Sequence, residues 1–167
     1  VADEQEYPER YKQSTDDPNL ITCREAPNLT VRMERGLSFS DSTARKAESG
    51  TIFLDGVAQS PPFLDSDQFV YNLDHHHGCV RSFTLSTCEQ VYILIRKGLD
   101  LRQHEWTVYA NEPDLDTVLA IWLLFNYSRV NAEASDVRDK ILPLVRLEGV
   151  IDVHGFELTE LTCFEKD

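Results

Sequence analysis

One acidic residue, three imidazoles and a glycine, Asp74-His75-His76-His77-Gly78, stand directly behind the apolar run Phe69-Val70-Tyr71-Asn72-Leu73. That run reads as a buried strand, and open α/β sheets hold their ligands beyond the carboxyl ends of such strands. Carboxylate oxygens and imidazole nitrogens suit Mn²⁺, Mg²⁺, Fe or Zn²⁺, so a metal site is the first expectation. The run is internal and follows a strand signal, unlike a terminal purification tag. Other acids share its placement. Thr51-Ile52-Phe53-Leu54 delivers Asp55 at its tip ahead of Gly56, and Pro113-Asp114-Leu115-Asp116 opens an apolar helix. Val150-Ile151-Asp152-Val153-His154-Gly155 reads as another short strand. Its Asp152 is a candidate for a remaining metal ligand, set against an ordinary strand-end turn for both Asp152 and His154.

Several carboxylates in one pocket repel each other unless a cation neutralises them. Two ions ~3.5–4 Å apart, bridged by one carboxylate, would resolve the repulsion and activate water for phosphoryl transfer. Cys23, Cys79, Cys88 and Cys163 show no Cys-x-x-Cys spacing. Neither a structural zinc clip nor a disulfide framework is expected from them, and a reducing, intracellular setting is.

The elements that must position these residues follow from the surrounding pattern. The stretch Val1 to Asn19 is polar and acidic and reads as a flexible arm; Leu20 to Asp167 reads as a single α/β metal-site domain. Leu20-Ile21-Thr22-Cys23 and Leu29-Thr30-Val31-Arg32-Met33 are strand candidates separated by Ala26-Pro27-Asn28. Asp41 or Ser42 is placed to cap a short helix from Ala44 to Glu48, with Gly50 as its stop. Ser86-Thr87-Cys88-Glu89 matches a capping box, so a helix should run to Lys97, stop at Gly98, and bury Val91, Leu94 and Ile95. Trp106-Thr107-Val108-Tyr109 is a strand candidate, and the body of the next helix is Thr117 to Tyr127, buried around most of its circumference. Ser135 is expected to cap a helix from Asp136 to about Leu147, kinked or broken at Pro143. Strands alternating with helices give a mainly parallel sheet flanked by helices, whose strand tips share one edge. Trp106 and Trp122 read as core or shelf residues.

A formal net charge of −13 and a pI near 4.7 argue against a long nucleic-acid footprint, which draws on Lys and Arg. No run is apolar enough for a membrane span. The start at Val1, without Met, suggests a processed or excised piece.

The combination resembles the DHH phosphoesterase superfamily, which includes RecJ-type exonucleases, oligoribonucleases, cyclic dinucleotide phosphodiesterases and family II pyrophosphatases. The likeness spans Thr51 to Phe125 and rests on Leu73-Asp74-His75-His76, on Thr51 to Gly56, and on Pro113-Asp114-Leu115-Asp116. It implies a DHH-like α/β fold and two Mn²⁺ (or Mg²⁺) ions. Asp55 would bridge them, Asp114 would bind one, and Asp116 with His75 would bind the other. His76 would face the scissile phosphate and Asp74 would orient the histidines. His77 has no counterpart, and Arg81 is either a phosphate contact or a solvated surface residue. Ala110 stands where the family places a histidine ligand. The Pro-Asp-x-Asp motif also follows the histidine motif instead of preceding it. Circular permutation accounts for that order. In a second alignment, Asp116-Thr117 would be the family's last metal-binding motif. The family's second, substrate-binding domain has no counterpart after Asp152.

The resemblance implies a metal-dependent phosphoesterase or phosphohydrolase acting through metal-activated water. Its substrate would be a small phosphorylated molecule or a short oligonucleotide. Two other readings stand beside it: a binding or regulatory module that has lost catalysis, and a single zinc or iron site built on His75, His77 and a carboxylate.

Overall fold

A computed structural model describes residues 10–133 and 135–155. Its strands are β1 (Tyr11–Gln13), β2 (Leu20–Cys23), β3 (Ala26–Met33), β4 (Phe39–Ser40), β5 (Thr51–Leu54), β6 (Ala58–Gln59), β7 (Phe63–Asp65), β8 (Val70–Leu73) and β9 (Trp106–Ala110). Its helices are α1 (Asp41–Ala44), α2 (Thr87–Arg96), α3 (Leu115–Phe125), α4 (Tyr127–Asn131) and α5 (Asp136–His154). Seven strands form one mixed sheet in the order β1-β2-β3-β9-β5-β8-β7. The central four, β3, β9, β5 and β8, are mutually parallel. The flanking β1, β2 and β7 run antiparallel to their neighbours. The parallel centre puts the carboxyl ends of four strands on one edge, as the alternation of strands and helices predicts.

Period-two alternation assigns the two faces. Leu29, Val31, Ile52, Leu54, Tyr71, Leu73, Trp106, Val108 and Ala110 join one core with Cys88, Val91, Ile95, Leu119, Leu123, Leu124 and Val145 of α2, α3 and α5. Phe53 and Val70 point the other way, into a smaller core with Ala44, Val57 and Ala58. Helices therefore cover one face, while the short α1 and the β4-β6 pair cover part of the other. The expected α/β sheet flanked by helices is present, as a mixed sheet with a parallel centre and most of its helices on one face. A 4-residue α1 has too few turns to present a wide apolar stripe.

The capping box forms as read: Ser86 Oγ accepts from Glu89 N, and the Glu89 side chain accepts from Ser86 N. Other boundaries shift. Ser40, not Asp41 or Ser42, caps α1, and α1 ends at Ala44. Pro27 falls inside β3. Tyr11–Gln13, placed in the arm, is an edge strand on β2; the rest of the arm before Arg10 lies outside the described residues. The largest correction concerns the carboxyl end. Val150 to His154 is the last stretch of α5 and not a strand, and α5 continues through Pro143. Proline there forfeits one helix hydrogen bond, to the Asp139 carbonyl, and the remaining helix is held by packing on α2, α3 and α4. Trp106 is 2 % exposed and donates to the Leu101 carbonyl. Trp122 packs on the same core. No helix among the described residues is long and apolar enough to cross a membrane.

Gly50 holds the entry to β5. Its φ is +85°, its N–H donates to Phe69 O, and its carbonyl accepts from Thr107 N. A Cβ here would run into the Glu105 carbonyl oxygen. Gly50→Ala combines left-handed strain with a backbone collision, so it should destabilise the fold by about 2–4 kcal/mol. Urea unfolding followed by circular dichroism checks this, and a midpoint equal to wild type would refute the assigned role.

Candidate metal centre

Asp55 leaves β5 with φ 51° while its N–H still donates to Leu73 O. That turn directs its carboxylate between the first turns of α2 and α3. Thr87 Oγ1 donates to Asp55 Oδ1 at 3.0 Å, and Thr117 Oγ1 donates to Oδ2 at 2.9 Å. Asp116, in the first turn of α3, accepts from Thr87 N at 2.8 Å and Cys88 N at 2.7 Å, and so occupies the free N–H groups that open α2. Asp114 caps α3 by accepting from Thr117 N at 2.8 Å.

His75 is fully buried. Its Nε2 lies 3.4 Å from Asp55 Oδ1, 3.6 Å from Asp116 Oδ2 and 3.0 Å from Asp152 Oδ2. None of these approaches has hydrogen-bond geometry: both His75 ring nitrogens and Asp152 Oδ2 are buried without a hydrogen-bond partner. Three carboxylates, from β5, α3 and α5, thus approach one imidazole nitrogen, and those of Asp116 and Asp152 can share one ion with it. Orphaned buried polar atoms are costly unless something is bound between them. Asp152 Oδ1 is held from outside by Arg81 Nη2 at 2.8 Å.

Asp74 is also fully buried but has a different task. Its Oδ1 accepts from the backbone N–H of His75 at 2.7 Å and of His76 at 3.0 Å, and its Oδ2 accepts from His77 N at 3.2 Å. Oδ1 also lies 2.8 Å from His76 Nδ1. Asp74 thus orients the backbone of both histidines and the ring of His76, but it does not touch the His75 ring. With Nδ1 engaged, His76 turns its Nε2 outward, which suits a substrate contact better than ligation.

Among the described residues, two groups of three side chains bring their donor atoms close enough for one ion: Asp55, His75 and His76, and His75, Asp116 and Asp152. His77 belongs to neither, so the pairing of His75 with His77 in a single zinc or iron site is not what the chain brings together. Asp114 is exposed and lies at the rim beside Asp55, in neither group. His154 is exposed at the end of α5. Ala110 ends β9 with a buried side chain that offers no donor.

Three contributors escaped sequence reading. Thr87 and Thr117 hold Asp55, and each is the kind of first-turn hydroxyl that a capping pattern flags. Glu148, 7 % exposed, lies one helical turn before Asp152. It would have been visible had Val150 to Gly155 been read as helix. Arg81, weighed as a phosphate contact or a solvated residue, is instead ion-paired with Asp152.

The charges act on one another strongly. Burial pushes the Asp55 carboxyl up, but His75, the positive His76 and the Thr117 and Thr87 hydroxyls outweigh it and bring it down to about 2. Burial also opposes ionisation of Asp74, yet the His76 ring and the backbone N–H groups hold it below the usual carboxylate range. His76 is raised by Asp74 against the effect of burial, with Asp55 adding to the rise. Asp116 is raised by burial despite its bonds to Cys88 and Thr87, and Asp114 by burial and the Asp55 charge. Glu148 is pushed up to about 7 by burial and by Asp116, Asp152, Asp114 and Asp55.

A cavity of about 300 Å³ lined by Phe69, Tyr71 and Trp106 lies at the amino ends of β8 and β9, on the edge away from these residues. The cluster of His75, Asp55, Asp116 and Asp152 is at the carboxyl edge, where parallel sheets commonly hold ligands. Comparison with protein-family models, curated proteins and solved structures finds no match for the chain.

These shifts fix the sign of a pH effect in metal-free protein. The raised pKa of His76 gives a stability contribution that is complete below its ordinary 6.5 and is lost as pH rises through the folded value. Glu148, raised from 4.5 to about 7, loses its contribution across that interval. The lowered Asp55 and Asp74 lose theirs only as pH falls below the ordinary 3.8. The melting temperature of chelator-treated protein should therefore decline from about pH 5 to about pH 8. In His76→Gln the decline should end near pH 7, where Glu148 has lost its proton. A wild-type melting temperature that rises over this range would contradict the assigned charge states.

Proposed function

We propose that the chain is a divalent-metal-dependent phosphoesterase or phosphohydrolase of DHH type, with its motifs in permuted chain order. The observation that carries this reading is His75: a buried imidazole with no hydrogen-bond partner, whose Nε2 stands 3.0–3.6 Å from the carboxylates of Asp152, Asp55 and Asp116. In this reading His75, Asp116 and Asp152 hold one Mn²⁺ or Mg²⁺. Asp55, with Asp114 at the rim, holds a second. Bound cations of this kind lower the pKa of water and neutralise charge on a phosphoryl group.

The chain's own residues supply the rest. His76, whose pKa Asp74 raises, would offer its exposed ring to a phosphate oxygen and so orient the substrate. Thr87 and Thr117 keep Asp55 in place. The permuted order is supported by the meeting of Asp116 with His75 and Asp55, although Asp116 comes later in the chain than both. A net charge of −13 favours a small phosphorylated substrate or a short oligonucleotide over a long nucleic acid, with cations supplying the local positive field.

A second reading, a module that binds without turnover, is favoured by Ala110, which offers no donor at the tip of β9. Hydrolysis of a phosphodiester and of pyrophosphate in Mn²⁺ separates the two. Asp55→Asn and His75→Ala should each lower turnover by about 10³-fold or more. Wild-type turnover in both variants would sink the assignment, whereas Mn²⁺ binding by calorimetry with no turnover on any substrate would establish the binding module.

A further inference from the structure

Each acid facing His75 has its own donors, and Asp152 has the fewest. Asp55 accepts from the hydroxyls of Thr87 and Thr117, and Asp116 accepts from two backbone N–H groups of α2. Asp152, in the last turn of α5, keeps Oδ2 without a hydrogen-bond partner. Among the described residues, the one donor to its carboxylate is Arg81, whose Nη2 bonds Oδ1 at 2.8 Å and lies 3.4 Å from the Asp152 main-chain carbonyl oxygen. Asp152 Oδ2 nevertheless stands 3.0 Å from His75 Nε2. One carboxylate thus faces two ways, its outer oxygen on a guanidinium and its inner oxygen on the imidazole.

Arg81 reaches that outer oxygen because of the path the chain takes after the histidines. It turns at Gly78, with φ 65°, where a Cβ would run into the Pro61 ring. The short 3₁₀ turn Arg81–Phe83 then packs against α5. The segment that supplies the imidazole therefore also supplies the clamp on the helix-borne acid. The ion pair is partly open to water, with the Arg81 side chain 46 % and the Asp152 side chain 21 % exposed. Exposed pairs of this kind add little to stability. The effect here is directional: without the guanidinium, Asp152 is free to turn its carboxylate toward solvent at the helix end. Carboxylates that ligate metals are in turn held by hydrogen bonds that fix their direction.

Building on the metal reading above, we infer that Arg81 is a positioning residue of the metal centre: it holds Asp152 Oδ1 from outside, so that Oδ2 stays aimed at His75 and at the divalent cation the two share. Arg81 carries the same sign of charge as that cation, and the two repel. Solvent at the exposed guanidinium screens the repulsion, so the gain in orientation outweighs it. The arginine acts through Asp152 and needs no contact with substrate.

The test is Mn²⁺ titration of the metal-free chain by calorimetry, with thermal unfolding alongside. Without metal, Arg81→Gln should melt within about 4 °C of wild type, while its Mn²⁺ affinity falls about 10-fold or more. Arg81→Lys, which keeps a charged donor, should recover part of that affinity. In an Asp152→Ala background, Arg81→Gln should cost no further affinity, because the residue through which it acts is gone. Wild-type Mn²⁺ affinity in Arg81→Gln overturns the inference, whether the variant melts lower, as for a purely structural arginine, or shows a raised KM for a phosphorylated substrate, as for a phosphate contact. A double variant that binds more weakly than Asp152→Ala by the full Arg81 factor overturns it too. His75→Ala separates the two levels. Loss of Mn²⁺ binding in His75→Ala with none in Arg81→Gln leaves the metal reading standing and removes Arg81 from it. A wild-type chain that does not bind Mn²⁺ overturns both.

Discussion

The carboxylate of Asp116 ties the site to the fold. It belongs to the first turn of α3 but bonds to Thr87 N and Cys88 N, the groups that open α2. One charge thereby completes a helix terminus, joins two helices, and is itself compensated by the amino-terminal dipole of α2. Thr87 and Thr117 inherit their positions from this link, and their hydroxyls converge on Asp55 from the two helices. If α2 and α3 were not held in this relation, Asp55 would lose both donors and His75 would face a carboxylate of undefined direction. Backbone N–H groups and hydroxyls are rigid donors, so the carboxylates around His75 are oriented before anything binds.

The cluster nevertheless remains short of positive charge. Asp74 is satisfied locally by the three backbone N–H groups of the histidine run and by the His76 ring. Asp55 and Asp116 are satisfied by dipoles. Asp152 has one oxygen on Arg81 and the other unpartnered. The shortage therefore concentrates between His75 and α5. The core beneath is apolar and closely packed, so its energy can offset the local cost of an unsatisfied site, as functional sites commonly require.

Elements whose signal is local were legible in the sequence. The Ser86 capping box, the Asp114 cap and the buried strands ending at Asp55 and Asp74 need only neighbouring residues to be recognised. The convergence of their tips followed from parallel topology. Val150 to Gly155 was misleading because Val150, Ile151 and Val153 carry strand propensity. What makes the segment helical is long-range: contact of α5 with α2 and α3, which no window of neighbouring residues contains. Gly155, with φ +75°, is the helix-ending glycine of that segment, and the same residue also suits a strand tip. Thr87 and Thr117 were hidden for a related reason, since a hydroxyl in a first turn is ordinarily spent on its own helix.

The helical state of Val150 to His154 determines how the centre is built. Asp55 and the histidine run emerge from adjacent parallel strands, where ladder hydrogen bonds fix their separation. Asp152 and Glu148 are set by a helix docked against other helices, an arrangement held by side-chain packing, by the Arg81 ion pair and by the absence of a side chain at Gly149. Helix docking is softer than strand pairing, because packed helices shift by small sliding movements. The centre thus has a rigid wall and an adjustable one. Chain order matters little to the rigid wall, whose strands meet on one edge whichever comes first. The adjustable wall is where this chain departs furthest from a site made only of strand tips, because Asp152 is delivered by a helix.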